Sequence, residues 1–259
     1  MIDLHSHLLP NVDDGSRSLE QSVEVLTRFE ADGVTALCLT PHLLASQAVH
    51  GPPASHDRAY AALGLAAPST VTLYRGAEVM LDRPLDARVA DDRRVTLNGS
   101  RYVLVEFQRL VAAQTVDHAL ALVVAIGLVP LLAHPERYRC CSVDAVSRWK
   151  ATGALMQVDG PTLLSSRPRG TRARQLVEHG LADIAAADNH GENDRTLRAA
   201  RDVLDAHGGA DQARLLLEDN PRAIVEDRVV APVPPLSWRF TVADRLLALF
   251  RRNDGVDRS

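Results

Sequence analysis

Short apolar runs closed by a polar residue alternate with longer stretches of helical spacing along most of this chain. Ile2 and Leu4 open the first run, which reads as a strand. Residues 19–32 follow, with Val23, Leu26 and Phe29 near helical spacing and Gly33 where a helix would end. The same rhythm predicts further strands at 34–39, 71–75, 102–105, 128–133, 154–158 and 181–187. Between them it predicts helices at about 57–66, 116–126, 143–152 and 171–179, then 195–206 and 211–218. Residues 43–55, rich in Gly, Pro, Ser and His, read as a long loop over the strand ends, and 82–98 as a charged, irregular stretch. Strands alternating with helices in this way indicate parallel βα units. About seven strands in this length favour a closed or nearly closed barrel, one strand short of the eightfold arrangement.

Composition adds limits. The 259 residues are 46% hydrophobic and 24% charged, an ordinary globular balance. A net charge of −4 offers no basic excess for neutralising phosphates, so nucleic acid is not the expected partner. The opening residues have neither the basic nor the apolar region of a signal peptide. No run approaches the ~18–20 apolar residues that span a bilayer. Cys38, Cys140 and Cys141 make no disulfide framework, and a reducing cytoplasm is the expected compartment.

The chemistry gathers at the predicted strand ends. His5 and His7 alternate on one strand and so point the same way. His42, Glu78, Glu106, His134, Asp188 and His190 each follow another strand, and Asp14 sits in the first turn, with Asp13 beside it as a support for that loop. Five imidazoles and four carboxylates at one barrel mouth exceed the needs of a single ion. Uncompensated buried carboxylates are costly, so the set calls for a shared partner. Carboxylates bridging two or three ions would satisfy it, and this donor set suits Zn, Mn or Fe better than Ca. His118, His179 and His207 fall on predicted helices and read as surface residues, while His50 and His56 are at most substrate contacts. A thiol phosphatase is excluded, because Cys38, Cys140 and Cys141 are followed six residues on by Leu44, Val146 and Ser147 rather than arginine.

Met-Ile-Asp-Leu-His-Ser-His, Asp-Asp-Gly, Thr-Pro-His42, Gly-Ala-Glu78, Val-Glu106-Phe, Ala-His134-Pro-Glu-Arg-Tyr and Ala-Asp188-Asn-His190 resemble, in order and spacing, the polymerase-and-histidinol-phosphatase (PHP) superfamily. Within it the chain is most similar to the capsule and exopolysaccharide tyrosine-protein phosphatases of bacteria, over about residues 1–228. The resemblance implies a distorted (β/α)7, TIM-like barrel with a centre of two or three divalent ions, typically manganese, with Fe, Zn or Mg as alternatives. By the same resemblance His5, His7, Glu78 and Asp188 hold one ion. Glu78, Glu106 and His134 hold a second, and Asp14, His42 and His190 a third. Arg137 and Arg195 match arginines that face the phosphate, a role that suits the paired donors of a guanidinium. The implied reaction is hydrolysis of phosphotyrosine by hydroxide generated at the metals, on a kinase that controls polysaccharide export. The alternative is a phosphoesterase of the same scaffold acting on a small phosphomonoester, such as histidinol phosphate or a nucleotide. A binding module with a degenerate site would be expected to have lost ligands.

The barrel is expected to end near residue 230, leaving 231–259 as an extension. Pro232–Pro235 reads as a stiff linker. Val242, Leu246, Leu249 and Phe250 then fall at i, i+4, i+7 and i+8, with Arg245, Arg251 and Arg252 nearby. This amphipathic helix could dock on its own barrel or on a sister subunit in a homo-oligomer, or it could touch a membrane surface or a membrane-bound kinase.

Overall fold

The computed structural model describes residues 1–192 and 196–238. Among them nine strand segments pair in parallel throughout: β1 (Ile2–Ser6), β2 (Ala36–Leu39), β3 (His42–Leu44), β4 (Thr72–Arg75), β5 (Glu78–Met80), β6 (Tyr102–Glu106), β7 (Val129–Ala133), β8 (Leu155–Asp159) and β9 (Ile184–Ala186). They occupy seven positions around the barrel, because β2 runs on into β3 and β4 into β5. The ladder is carried across both interruptions, with Gly76 N–H on the Leu39 carbonyl (3.0 Å) and Glu78 N–H on the Pro41 carbonyl (3.1 Å). Closure comes where β9 returns to β1. Asp188 N–H reaches the His5 carbonyl at 3.0 Å, His7 N–H reaches the Asn189 carbonyl at 2.8 Å, and Ser6 bridges Asn189. The sevenfold parallel arrangement read from the sequence is therefore the observed one.

The helices are α1 (Leu19–Ala31), α2 (Ala45–Ala48), α3 (Ala54–Ala66), α4 (Arg88–Asp92), α5 (Ala113–Ala125), α6 (Val143–Ala151), α7 (Pro168–Glu178), α8 (Leu197–Ala206), α9 (Ala210–Arg214) and α10 (Asn220–Val225). Local chemistry sets their ends. Ser18 caps α1 by accepting the Gln21 N–H, and Ser142 caps α6 by accepting from Ala145. Gly33 takes a φ of +87° just past α1, which a side chain would resist. One expectation fails here. Residues 43–55 are no open loop, since β3, α2 and the first turn of α3 occupy most of the stretch. The short strand and four-residue helix were hidden because neither is long enough to show a period.

Strands β1, β2 and β6 are buried along their whole length, as expected of a sheet covered by helices outside and side chains inside. Val25, Leu26 and Phe29 of α1 and Trp149 of α6 seal the outer layer. Fully burying a side chain of Phe size contributes about 2–3 kcal/mol. The chain after α10 continues along the barrel. Asn220 exchanges hydrogen bonds with the Ala231 backbone (2.9 and 3.0 Å), Val233 and Leu236 are buried, and the Trp238 indole N–H donates to the Arg174 carbonyl at 2.8 Å. The amphipathic stripe at 242–250 lies outside the described residues. No described helix is long and apolar enough to cross a membrane.

Candidate metal centre

The nine candidate ligands meet at the C-terminal ends of the strands. His5 lies in β1 and His7 just beyond it; His42 opens β3 and Glu78 opens β5, paired with one another in register. Glu106 ends β6, His134 follows β7, and Asp188 and His190 follow β9. Asp14 reaches over from the first turn. Its carboxylate lies 3.3 Å from His42 Nε2 and 3.6 Å from His190 Nε2, and its side chain is 70% exposed, which puts it on the solvent rim. Glu78 is the hub. One of its oxygens sits 3.2 Å from His5 Nε2 and 3.0 Å from His134 Nε2, and the other 3.3 Å from His7 Nε2 and 3.1 Å from His42 Nδ1. Asp188 Oδ1 lies 3.2 Å from His5 Nε2 and 3.4 Å from His7 Nε2, while Glu106 lies 3.2 Å from His42 Nδ1.

Two of the ligands adopt left-handed backbone conformations, a region that is uncommon outside glycine although Asp and His enter it more readily than most residues. His134 has a φ of +35° and Asp188 a φ of +48°. Each such residue costs about 1–3 kcal/mol.

The donor set calls for a cation. His5 Nδ1 donates to Gln157 Oε1 at 2.9 Å, and His7 Nδ1 donates to Asp13 Oδ2 at 2.7 Å. Both Nε2 atoms are then left as lone pairs, yet they face each other across 3.1 Å with two carboxylates alongside. Only something positive can sit among those atoms. Without an ion, protons take that part. Burial alone would lower the pKa of His5 and His7, but Glu78 and Asp188 outweigh it at His5, and Asp13, with Asp188 and Glu78, outweighs it at His7, so both are raised. His42, after the same desolvation, is raised to about 10 by Glu106 and Glu78. Burial would push Glu78 and Asp188 up, and the surrounding imidazoles hold both well below the usual carboxylate range. Four groupings have ligand atoms within 4.8 Å of one another: His7–Asp14–His42–His190, His5–Glu78–His134, His5–His7–Asp188 and His42–Glu78–Glu106. These residues fit divalent ions by donor type, number and convergence.

The family model for capsular polysaccharide synthesis, CpsB/CapC, matches residues 1–226. The chain belongs to the CpsB/CapC family. Among curated relatives it is similar to the tyrosine-protein phosphatase CpsB of Streptococcus pneumoniae, with 26% identity over 89% of this chain and all of that protein. It is also similar to the putative tyrosine-protein phosphatase CapC of Staphylococcus aureus, 23% identical over 92% of this chain and 97% of that one. Among solved structures it matches a chain from the crystal structures of YwqE from Bacillus subtilis and CpsB from S. pneumoniae, described as unique metal-dependent tyrosine phosphatases. The TM-score is 0.78 at 22% identity, covering 92% of this chain and all of the other. A more distant match, the phosphotriesterase from Mycobacterium tuberculosis (TM-score 0.55, 14% identity, 87% and 94% covered), shares the barrel fold.

Within this CpsB/CapC chain the supporting groups are the ones the sequence concealed. Gln157 orients His5, and its own amide is fixed by donating to the Val158 carbonyl at 3.0 Å. Asp13 does more than brace the turn: besides His7 it accepts the His42 N–H (3.2 Å) and the Gly15 N–H (3.0 Å). Burial would raise its pKa, but these hydrogen bonds hold it at about 2. Asp159 and Asp188 both accept from Arg137 Nη2, the former at 2.8 Å, so this arginine is braced against the centre. Gln157 and Asp159 alternate on β8 and so point inward together, the one pattern that could have flagged them. Arg195 lies outside the described residues. Of the histidines set aside, His118 and His179 are exposed, and His207 is half-buried against Trp238, with ring centroids 5.1 Å apart. His56 is buried in α3.

Proposed function

We propose that this chain is a metal-dependent protein-tyrosine phosphatase acting on phosphotyrosine of a kinase that governs capsule or exopolysaccharide synthesis. The observation that carries the reading is the pair of His5 and His7 lone pairs, 3.1 Å apart among buried carboxylates, on a family barrel whose relatives bear that activity in their names. Divalent ions, manganese foremost, would supply a water acidified towards neutrality and would offset the charge of the phosphate. His5, His7, Glu78 and Asp188 would hold one, Glu78, Glu106 and His134 a second, and Asp14, His42 and His190 a third.

The chain's own residues would do the rest. Arg137, held by Asp159 and Asp188, would present its guanidinium to the phosphate, with Arg195 as a second arm. Beside His42 and Glu106 opens a cavity of about 320 Å³ whose other walls are Leu43, Leu44, Gln47 and Met80. Its largely apolar sides suit an aryl ring better than a histidinol or a ribose. Tyrosinate, with a pKa of about 10, leaves readily enough that strong acid assistance is unnecessary.

The test compares metal-stripped protein with protein reloaded with Mn, Zn or Mg, using a phosphotyrosine peptide, histidinol phosphate and a nucleotide as substrates. The reading requires activity on the peptide that chelation removes and Mn restores. Full activity after chelation would end the metal reading, and a clear preference for histidinol phosphate or the nucleotide would replace the substrate.

A further inference from the structure

The loops after β6 and β7 and the first turns of α7 enclose a second cavity of about 320 Å³. Arg109, Leu110, Arg137, Arg139 and Arg172 line it. The backbone ties the two loops together, with Arg139 N–H donating to the Arg109 carbonyl at 3.0 Å, so neighbouring loops present both side chains. Among the described residues only Arg137 is paired with carboxylates here. Arg172 Nε donates to the Glu136 carbonyl at 2.8 Å, and among the described residues Arg109, Arg139 and Arg169 form no ion pair. Arg169, at the start of α7, feels the accumulation. Partial burial lowers its pKa first, and the guanidinia of Arg109, Arg137 and Arg172 lower it further. Guanidinia gathered at one spot repel one another, and in a chain of net charge −4 they are not part of a general basic excess. Their field is relieved when an anion enters, and forked donors match carboxylate or phosphate oxygens.

We propose that this arginine pocket is a second anion subsite. It seats an acidic group of the substrate, a carboxylate or another phosphate, carried on the same peptide as the phosphotyrosine that reaches the metal centre. The inference rests on the phosphotyrosine reading and narrows it to acidic or multiply phosphorylated segments. Arg137 lines the pocket and also bonds Asp188, so it joins the two subsites. Leu110, 76% exposed at the rim, offers the peptide an apolar contact.

The test uses the full chain loaded with manganese and three peptides: phosphotyrosine flanked by Asp and Glu, the same flanked by Ser and Gly, and one with two phosphotyrosines. para-Nitrophenyl phosphate, which carries no second anion, reports on an intact centre. The acidic and doubly phosphorylated peptides should exceed the neutral one in kcat/KM by about tenfold, mainly through KM, as expected for charge-assisted hydrogen bonds. In the R109A/R139A double variant that preference should vanish while para-nitrophenyl phosphate turnover holds. Non-hydrolysable phosphonate versions of the peptides, titrated by fluorescence anisotropy, should show the same ratios in Kd. A wild type that treats acidic and neutral peptides alike, or a preference that survives in the double variant, overturns the subsite. If no phosphotyrosine peptide is hydrolysed, the functional reading fails on its own, and the phosphonate affinities still decide the pocket.

Discussion

Removing or supplying the divalent ions should change the stability of the fold by an amount the geometry sets. Two of the ligand groupings share no residue, His5–Glu78–His134 and His7–Asp14–His42–His190, so two ions would be held without a common ligand. An ion at a hundred times its dissociation constant stabilises the folded state by about 2.7 kcal/mol per site, hence about 5 kcal/mol for two. For a chain of this size each kcal/mol moves the melting temperature by about 2–4 °C, which gives about 10–20 °C between chelated and manganese-loaded protein. Differential scanning fluorimetry over a metal titration measures it. His42→Ala removes a donor from the second grouping and leaves the first whole, so it should lose about half the shift. A shift under about 2 °C with Mn, Zn and Fe alike, well below the one-site figure, would refute the reasoning. So would a His42→Ala chain that responds like its parent.

Three other outcomes follow from single contacts. Lys150 bonds both oxygens of the buried Asp183 at 2.6 Å, and Asp183 also accepts the Met156 N–H, so Lys150→Ala strands a charge between β8 and β9. Discounted for the partly exposed lysine, the loss should be about 2–3 kcal/mol in urea unfolding, with KM unchanged. A Cβ on Gly15 would stand 2.0 Å from the His7 carbonyl oxygen, so Gly15→Ala should displace the turn that carries Asp14 and weaken manganese binding in calorimetry by about tenfold. Glu136 is buried and its pKa is raised to about 8, by desolvation first and by the Asp159 charge second. A carboxyl raised in the folded state contributes stability below its unfolded pKa of about 4, and that contribution is lost as pH climbs through 8. Glu136→Gln keeps the acceptor for the Asp159 N–H, so its stability should fall less than the parent's between pH 5 and pH 9, read from denaturant midpoints.

How far the sequence carried depended on what kind of signal each part leaves. Eight of the nine candidate ligands are legible because strand ends in a parallel barrel share one mouth, so linear position implies spatial convergence, while Asp14 comes from the turn after the first strand. Strand count survived even though β3 and β5 are only three residues each, since each continues a longer run past Thr40-Pro41 and Gly76-Ala77. Residues 43–55 were misread because Gly, Pro and Ser argue for loop wherever no period opposes them. Gln157 and Asp159 leave a weaker signal, because two polar residues at the end of a short apolar strand carry no motif of their own. The arginine pocket was invisible for a different reason: Arg109, Arg139 and Arg172 come from three separate segments, and only the fold makes them neighbours.

The interruptions in β2/β3 and β4/β5 explain why the centre can be so crowded. An unbroken strand presents alternate residues to the barrel interior, so one strand could offer His42 or Glu78 only at the fixed height of its pleat. Pro41 and Gly76-Ala77 reset that height. A Cβ at Gly76 would stand 2.9 Å from Cys38 Sγ and 3.0 Å from Leu97 Cδ2, so a side chain there would have to displace these neighbours at the break. The ladder resumes with His42 beside Glu78, which puts an imidazole and the hub carboxylate in register on adjacent strands. His134 and Asp188 reach the same spot by left-handed turns, and β1 supplies two imidazoles by simple alternation. Three backbone devices thus bring ligands from different elements to one point. An ion bound by His134 and Asp188 would offset the strain of the two left-handed turns. Chelated protein should therefore loosen first at residues 40, 42, 76–78, 134 and 188, and hydrogen exchange at those amides, compared with and without manganese, tests the point. Uniform protection across the barrel in both states would mean that the turns are stable without the metal.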